Sequence, residues 1–116
     1  MSNIHIYGIK NCDTMKKAMA WLSARDIPHE FHDYKKEGVD EKRLIEWCKT
    51  AGWKALVNTK GTTWRKFTPE QQAISNQMQA VALMLENPSL IRRPVVETGN
   101  ELLIGFDPMM FESKLV

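Results

Sequence analysis

The sequence predicts a mixed α/β domain, and three observations lead to this class. Near the N-terminus, the short β-branched and aromatic segment Ile4–Tyr7 precedes a pattern of helical period. Near the C-terminus, two strand-like segments flank the turn Thr98–Asn100. Between these regions, residues 53–75 indicate short helices and turns. A chain of 116 residues suits one compact domain, which we predict over residues 1–116.

The first third of the chain predicts a β-α-β unit. Ile4–Tyr7 is predicted as the first strand and Gly8–Asn11 as a turn. A helix follows over about Asp13–Arg25, since apolar residues recur there at helical spacing. After Pro28, the alternating segment His29–Tyr34 is predicted as a second strand, parallel to the first. The apolar side of the helix is predicted to consist of Met15, Ala18, Met19 and Leu22, with Trp21 at its margin.

The middle of the chain is predicted to be helical. A second helix is expected near Glu41–Ala51 and ends at Gly52, a typical helix-terminating residue. Thr68–Glu70 indicates a helix start, because proline suits the first helical position. A further helix is expected to stop before Pro88. Its apolar stripe is predicted as Ile74, Met78, Val81 and Leu85.

The end of the chain changes from helical to strand period. Arg93–Glu97 and Leu102–Gly105 are predicted as two strands of a hairpin. Asp107 is the expected N-cap of a short final helix that begins at Pro108. The order β-α-β-α, helices, β-β-α is that of a thioredoxin-like fold with a helical insertion.

The composition excludes several classes of protein. With 43% hydrophobic and 26% charged residues, the chain is typical of a globular protein. A formal net charge of +2, with lysine and arginine doublets scattered, does not favour a nucleic-acid partner. No apolar run approaches the roughly 18–20 residues that cross a bilayer, and the N-terminus lacks the pattern of an export signal. We therefore expect a cytoplasmic monomer that binds neither membrane nor nucleic acid directly.

The two cysteines, at positions 12 and 48, form neither a Cys-x-x-Cys pair nor a metal-spaced cluster, so no metal is predicted. Cys12 follows a strand and a turn at the start of a helix, where N–H groups and the helix dipole favour the nucleophilic thiolate. Lys10 adds positive charge nearby, whereas Asp13 opposes it. The position is equally compatible with an unreactive structural cysteine. Cys48 lies on the apolar stripe of the second helix and is predicted as a core residue.

The dipeptide Arg93–Pro94 is the second candidate site. Proline at the start of a strand occupies one of the few positions that a sheet tolerates. A cis peptide there leaves the preceding backbone free to pair with an extended peptide such as glutathione. Arg93 is then able to hold a carboxylate or an oxyanion near Cys12. By themselves, the two residues favour a surface arginine before an ordinary trans proline.

Two further groups of polar residues leave their role open. Asn58–Arg65, which includes Lys60 and a glycine turn, is compatible with an anion-binding loop over the active site and equally with a solvated connector. The three histidines, His5, His29 and His32, show no catalytic pattern. His5 is expected to be packed or solvated.

The segment Tyr7–Ala18, which contains Cys12, closely resembles the motif of the ArsC/Spx family and is most similar to its YffB subgroup of small proteobacterial proteins. Asn58–Arg65 and Leu90–Val95 match later family segments in the same order, so the resemblance covers essentially the whole chain. It implies a thioredoxin fold with a helical insertion and a cysteine on the first loop. It also implies a cis proline at Pro94.

In the family's glutathione-linked arsenate reductases, a cysteine attacks arsenate and three arginines hold the oxyanion. Cys12 matches that nucleophile, and Arg93 matches the arginine before the proline. The middle loop has Asn58 and Lys60 where an arginine is expected, and Ile104–Pro108 lacks the arginine of the late segment. A site without most of its arginines is expected to bind arsenate poorly.

Two more positions depart from the family pattern. Gly8 stands where a histidine is expected shortly before the cysteine. Met15 stands where the family's transcription regulators, which bind RNA polymerase, have the second cysteine of a redox pair. The redox switch of that branch is therefore absent from this chain.

The resemblance implies glutathione-dependent thiol reduction, with glutathione as co-substrate, glutaredoxin as a further partner and no metal. Cys12 is the expected nucleophile toward a disulfide or another oxidised acceptor. The expected substrate- and glutathione-binding residues are Lys10, Asn11, Asn58, Lys60, Arg93 and Pro94. Two alternatives stay open, namely a glutaredoxin-coupled arsenate reductase and a non-enzymatic protein-binding adaptor similar to Spx.

The fold also predicts how the candidate residues lie in space. The first strand and the strand opened by Pro94 are neighbours in a thioredoxin-like sheet, so the Cys12 sulfur is expected beside the Arg93–Pro94 peptide. The loop with Asn58 and Lys60 is expected to close over the same surface. Cys48 is expected to face the interior, too far from Cys12 to form a disulfide.

Overall fold

A computed structural model describes residues 4–116, which fold into two compact units. The first unit combines the chain up to Glu37 with Arg93–Val116, and the second is Gly38–Arg92. One domain over residues 1–116 stays a prediction. No helix within residues 4–116 is both long and apolar enough to cross a membrane.

The first unit is built on a four-stranded sheet with the strand order β2-β1-β3-β4. The strands are β1, His5–Gly8; β2, Glu30–Asp33; β3, Val95–Glu97; and β4, Leu102–Ile104. β1 pairs with β2 in parallel and with β3 in antiparallel orientation. The predicted adjacency of the first strand and the strand after Pro94 is therefore confirmed, and the strand bounds differ from the predicted ones by one or two residues.

Most of the helices were expected from the sequence. Within the described residues they are α1, Asp13–Ala24; α2, Tyr34–Glu37; α3, Glu41–Ala51; α4, Trp53–Leu56; α5, Thr62–Arg65; α6, Pro69–Gln72; α7, Gln77–Glu86; and α8, Pro108–Leu115. A single 3₁₀ turn, Pro88–Leu90, follows α7. The one-turn helix α2 was not predicted. The order of strands and helices is the predicted thioredoxin-like one with a helical insertion.

The core of the first unit lies where α1 and α8 pack on one face of the sheet. Its buried members are Ile4, Ile6, Met15, Ala18, Trp21, Leu22, Val96, Leu103 and Phe111. The predicted apolar side of α1 is confirmed at Met15, Ala18 and Leu22, whereas Met19 is only half-buried. Trp21 is buried rather than marginal, because Phe111 of α8 packs edge-on against its ring at 5.4 Å.

The opposite face of the same sheet is polar on β1 and β2 and at Glu97, whereas Val95, Leu102 and Ile104 make the rest of it apolar. Side chains alternate along a strand, so Ile6 enters the core while its neighbours in β1 face the other way. The pairing register puts His5 beside Glu30 and Tyr7 beside His32. The polar part of this face, called the polar face below, carries His5, Tyr7, Glu30, His32 and Glu97.

The second unit consists of α3–α7 and the turns between them. α3 has its predicted bounds, and the Asp40 carboxylate caps it by accepting a hydrogen bond from the Lys42 backbone N–H at 3.2 Å. Gly52 ends it with a φ of 89°, a left-handed value that favours glycine. α6 starts at the segment Thr68–Glu70, as predicted, and Thr68 forms a capping box with Gln71.

The predicted apolar stripe of α7 is confirmed at Val81 and in part at Leu85, and it is wrong at Ile74 and Met78. The Asn76 side chain accepts a hydrogen bond from the Gln79 backbone N–H at 2.9 Å and so starts the helix at Gln77, after Ile74. With this start and its packing on α3 and α4, the helix turns Met78 outward, and Met78 is 82% exposed. The buried residues of the helix are Ala80, Val81 and Met84, and Leu85 is half-buried.

The C-terminal hairpin and helix were predicted correctly from the sequence. β3 and β4 pair around the turn, which the Thr98 backbone N–H closes by donating to the Glu101 carbonyl at 3.0 Å. The Asp107 carboxylate caps α8 and accepts from the Met109 backbone N–H at 3.0 Å. Both features had been predicted.

Candidate functional site

Cys12 is the N-cap residue of α1, directly after the bend that follows β1. Its backbone is extended, with φ −142° and ψ 126°, and its carbonyl accepts from the Lys16 backbone N–H at 2.9 Å. The side chain is half-buried against the edge of the core. The thiol is free. An approaching electrophile therefore meets a sulfur at the positive end of a helix.

Several neighbours change the acidity of this thiol. Burial raises the pKa of Cys12, but the backbone N–H groups of Met15 and Thr14 and the hydrogen bond and positive charge of Arg93 lower it. The balance leaves the pKa of the Cys12 thiol below its ordinary value. The thiol makes no side-chain capping hydrogen bond to the helix. Ionisation is thus favoured at the sulfur that the sequence singled out.

Arg93 and Pro94 lie where the fold was expected to put them. The peptide bond between them is cis, as predicted, and Pro94 is fully buried. The hydrogen bond between the Arg93 side chain and Cys12 confirms that the thiol lies beside this dipeptide. β3 lies between β1 and β4 in the sheet. The Pro94 carbonyl accepts from the Gly105 backbone N–H at 2.8 Å, so only the backbone before Pro94 lies outside the ladder.

Tyr34 is a member of the site that sequence reasoning missed. Its hydroxyl is buried and has no hydrogen-bond partner within residues 4–116. Burial and the nearby Tyr7 phenol raise the pKa of Tyr34, while the Arg93 charge lowers it. The phenol is therefore a neutral group near the same guanidinium that reaches Cys12. The sequence had placed Tyr34 at the end of the second strand, whereas it starts α2.

Gly8 lies directly against the buried side chain of Met15. A Cβ at position 8 would overlap the Met15 side chain, with the Met15 Cε only 2.8 Å away. Met15 itself is 1% exposed and packed in the core. The space that a side chain at position 8 would need is therefore filled by Met15.

Lys10 and Asn11 are both exposed and lie in the bend just before Cys12. Their positions are compatible with contact to a substrate bound at the thiol. Their predicted roles, in stabilising the thiolate or binding glutathione, stay predictions.

Asn58 and Lys60 belong to the second unit, in a loop with defined local structure. The Asn58 side-chain oxygen accepts from the Lys60 backbone N–H at 3.1 Å, and the Asn58 backbone N–H donates to the Leu90 carbonyl at 2.9 Å. Arg65 donates to the Lys60 carbonyl at 3.1 Å. The loop is thus held by its own hydrogen bonds, and its closure over Cys12 stays a prediction.

Cys48 is buried on α3, and its predicted core role is confirmed. Burial raises the pKa of the Cys48 thiol, which is the opposite of the shift at Cys12. The two cysteines therefore differ in the property that controls thiol reactivity. The expectation that they lie too far apart for a disulfide stays a prediction.

Residues 7–113 match the ArsC family. The chain belongs to this family. A relative from Haemophilus influenzae, an uncharacterized protein, is 39% identical over 110 residues, covering 95% of this chain and 96% of its own. The match extends over both units, so family membership applies to the whole fold rather than to the motif around Cys12.

Solved structures of this family share the fold. A protein named YffB is 44% identical, superposes with a TM-score of 0.94 and is matched over 98% of this chain and 100% of its own. A protein from Brucella melitensis described as arsenate reductase (ArsC) related is 45% identical, with a TM-score of 0.78 over 97% of this chain and 94% of its own. The thioredoxin-like fold and the YffB likeness inferred from the motifs are thereby confirmed.

The regulator branch is also among the relatives. The global transcriptional regulator Spx of Listeria innocua is 27% identical over 106 residues, covering 90% of this chain and 80% of its own. The same fold therefore occurs in proteins named for reduction and in proteins named for transcriptional control.

Proposed function

We propose that this ArsC-family protein is a glutathione-dependent thiol reductase with a single nucleophilic cysteine, Cys12. The observation that carries the proposal is the Arg93 side chain hydrogen-bonded to the Cys12 sulfur, which with the helix N–H groups lowers the pKa of that thiol. A thiol with this environment provides thiolate for attack on a disulfide. Cys48 is buried with a raised pKa, so the resolving thiol comes from glutathione.

The reaction proceeds by two thiol–disulfide exchanges. The Cys12 thiolate attacks one sulfur of the acceptor disulfide, forms a mixed disulfide and releases the other sulfur as a thiolate, which takes a proton from water. A glutathione thiolate then attacks the mixed disulfide and displaces Cys12 as a thiolate. With a glutathionylated acceptor attacked at the glutathione sulfur, the products are the free acceptor thiol and glutathione disulfide.

Arg93 has two successive tasks in this cycle. In the resting enzyme its charge stabilises the Cys12 thiolate. Once Cys12 is in a mixed disulfide, the sulfur is neutral and the guanidinium is available to a carboxylate of glutathione. Lys10 and Asn11, exposed beside the thiol, and Asn58 and Lys60 of the second unit are the further residues that we assign to glutathione. Glutaredoxin is the protein partner that this chemistry suggests, and the reducing cytoplasm is the compartment that supplies glutathione.

The experiment is a coupled assay with a small glutathione mixed disulfide, glutathione, glutathione reductase and NADPH. Cys12→Ser is expected to abolish turnover, because a hydroxyl at this position is not ionised. Cys48→Ala keeps a small apolar side chain at the buried position and is expected to retain the wild-type rate. Full activity in Cys12→Ser, or loss of activity only in Cys48→Ala, would overturn the proposal.

Arsenate reduction is a second candidate, favoured by the cation beside a nucleophilic thiol. The late segment weakens it, since Phe106 packs edge-on against Phe111 with ring centroids 4.9 Å apart and supplies no charge. The test is turnover of arsenate with glutathione and glutaredoxin present. If none occurs while the disulfide assay succeeds, this candidate is removed.

A non-enzymatic adaptor is a third candidate, favoured by the likeness to Spx. In this case the chain binds another protein, and the thiol is dispensable. Recovery of a stoichiometric RNA polymerase complex from extract, equally with wild type and Cys12→Ser, would support the adaptor and contradict the reductase.

A further inference from the structure

Three potential metal ligands meet on the polar face of the sheet in the first unit. His5 in β1 pairs with Glu30 in β2, and His32 lies two residues further along β2 on the same face. One side-chain ligand atom from each of the three lies within 4.8 Å of the others. The sequence alone does not reveal this group, because 24 residues lie between His5 and Glu30. The parallel pairing of β1 and β2 brings the three side chains together.

The distances between these ligand atoms suit one small cation. The His5 Nδ1 lies 2.9 Å from the His32 Nε2, and a Glu30 carboxylate oxygen lies 3.7 Å from that same nitrogen. Ligands about 2.0–2.2 Å from a tetrahedral zinc are separated from one another by roughly 3.3–3.6 Å. The 2.9 Å contact is a hydrogen bond between the two imidazoles, which a bound ion would replace. The two observed distances lie on either side of the zinc range, so small side-chain rotations bring the three atoms to zinc-binding separation. Glu30 has the most room to adjust, since its side chain is 68% exposed and that of His32 is 18% exposed.

A second layer of contacts orients the central ligand. The His32 Nδ1 lies 3.0 Å from a Glu37 carboxylate oxygen, and the Tyr7 ring stacks on the imidazole at 4.6 Å with an interplanar angle of 15°. A histidine that gives its other N–H to a carboxylate presents the remaining nitrogen to a metal, and this is the usual environment of zinc-bound histidine. With Nδ1 donating to Glu37, the His32 Nε2 carries a lone pair that faces His5 and Glu30.

We propose that His5, Glu30 and His32 bind one divalent late transition-metal ion, with Zn²⁺ the preferred ion, and that Glu37 holds His32 in position. Two imidazoles and one carboxylate suit zinc, whereas Mg²⁺ and Ca²⁺ prefer all-oxygen sites. Three protein ligands leave a fourth position for water or another donor. The site is separate from the Cys12 thiol, and it does not depend on the proposed reductase function.

Binding is tested on untagged Cys12→Ser protein, because the reactive thiol is itself a metal ligand. Zn²⁺ is followed by titration calorimetry, and Co²⁺ by its visible d–d absorption. We expect one ion per chain, visible absorption typical of four or five ligands, and no thiolate-to-cobalt charge-transfer band. No binding, or a band showing thiolate coordination, would overturn the assignment.

Variants in the same background separate the three ligands from the rest of the chain. Glu30→Gln, at an exposed position where folding is not at risk, and His32→Gln are each expected to remove tight binding. Glu37→Gln is expected to weaken it by about 10–100-fold, the usual effect of losing a partner of a metal-bound histidine. His29→Gln is the matched control, since the His29 Nδ1 contacts the Ile27 carbonyl at 2.9 Å and not the cluster. Equal affinity in Glu30→Gln and His29→Gln would contradict the site.

Discussion

The Arg93 side chain is hydrogen-bonded to the Cys12 sulfur, although 80 residues of sequence lie between the two. Cys12 follows β1 and Arg93 precedes β3, and these strands are antiparallel neighbours in the sheet. The C-terminal end of β1 and the N-terminal end of β3 therefore lie at the same end of the sheet. The pairing is a consequence of sheet topology, and it brings the Arg93 guanidinium to the thiol of a helix N-cap residue.

Arg93→Gln is expected to shift the alkylation of Cys12 to higher pH. In the wild type, the helix N–H groups and Arg93 outweigh the effect of burial and lower the pKa of the thiol. Without the guanidinium, burial is opposed only by the N–H groups of Met15 and Thr14, so the pKa rises and less thiolate is present at neutral pH. The measurement is the rate of reaction with iodoacetamide against pH.

Arg92→Gln is the matched control for this prediction. It removes the same charge one residue away, from an arginine whose Nε donates to the Ala55 carbonyl at 3.1 Å within the second unit. Its alkylation midpoint is expected to equal that of the wild type. Equal midpoints in Arg93→Gln and wild type would show that the guanidinium does not stabilise the thiolate.

The two cysteines are expected to differ sharply in alkylation. At neutral pH, native protein should incorporate one iodoacetamide label, at Cys12, because Cys48 is buried and its pKa is raised by burial. In denaturant both thiols should be labelled. Peptide mapping by mass spectrometry assigns the sites, and labelling of Cys48 first in native protein would contradict the assigned roles.

The sequence was sufficient for the main elements of the first unit and for the pair at its site. The position of Cys12 after a strand and a turn marked it as a candidate but left its reactivity open, and the position of Arg93 alone favoured a surface arginine. The resemblance to the family is what predicted the nucleophile, the cis peptide and the pairing of the two residues. The hairpin and α8 were predictable because Asp107 and the turn Thr98–Asn100 are local signals whose effect depends on few neighbours.

The features that the sequence did not predict depend on tertiary contacts or on the exact residue at which a strand or helix ends. Tyr34 was assigned to a strand, and its burial near Arg93 depends on β2 ending one residue earlier. The phase of α7 was set by the Asn76 cap and by packing, so Met78 is exposed although the period suggested burial. His5 and His32 were treated separately, because only the register of two parallel strands joins them.

Gly8→Ala is expected to destabilise the protein by about 1–3 kcal/mol, the usual cost of overpacking a core. The added methyl group overlaps the sulfur and methyl end of the Met15 side chain, which is 1% exposed and has to shift within the packed core. In a Met15→Ala background the cost should be smaller, with a coupling energy of roughly 0.5–3 kcal/mol in a double-mutant cycle. Urea unfolding measures all four proteins.

The control for this cycle is Gly99→Ala, since a Cβ there has no atom within 4 Å. Its unfolding free energy is expected to change by less than about 0.5 kcal/mol or to rise slightly. An equal cost for Gly8→Ala with and without Met15 would show that the two positions do not compete for the same space.

Tyr34→Phe and Tyr7→Phe are expected to change stability in opposite directions. The Tyr34 hydroxyl is buried without a hydrogen-bond partner among residues 4–116, so its removal relieves a desolvation cost and should raise the free energy of unfolding by up to about 1 kcal/mol. The Tyr7 hydroxyl donates to a Glu97 carboxylate oxygen at 3.2 Å, and its loss should lower that free energy by about 1–2 kcal/mol. Urea unfolding of both variants measures the difference. Destabilisation by Tyr34→Phe as large as that by Tyr7→Phe would mean that the Tyr34 hydroxyl has a stabilising partner, and the iodoacetamide profile of Cys12 in that variant would then reveal whether Arg93 is involved.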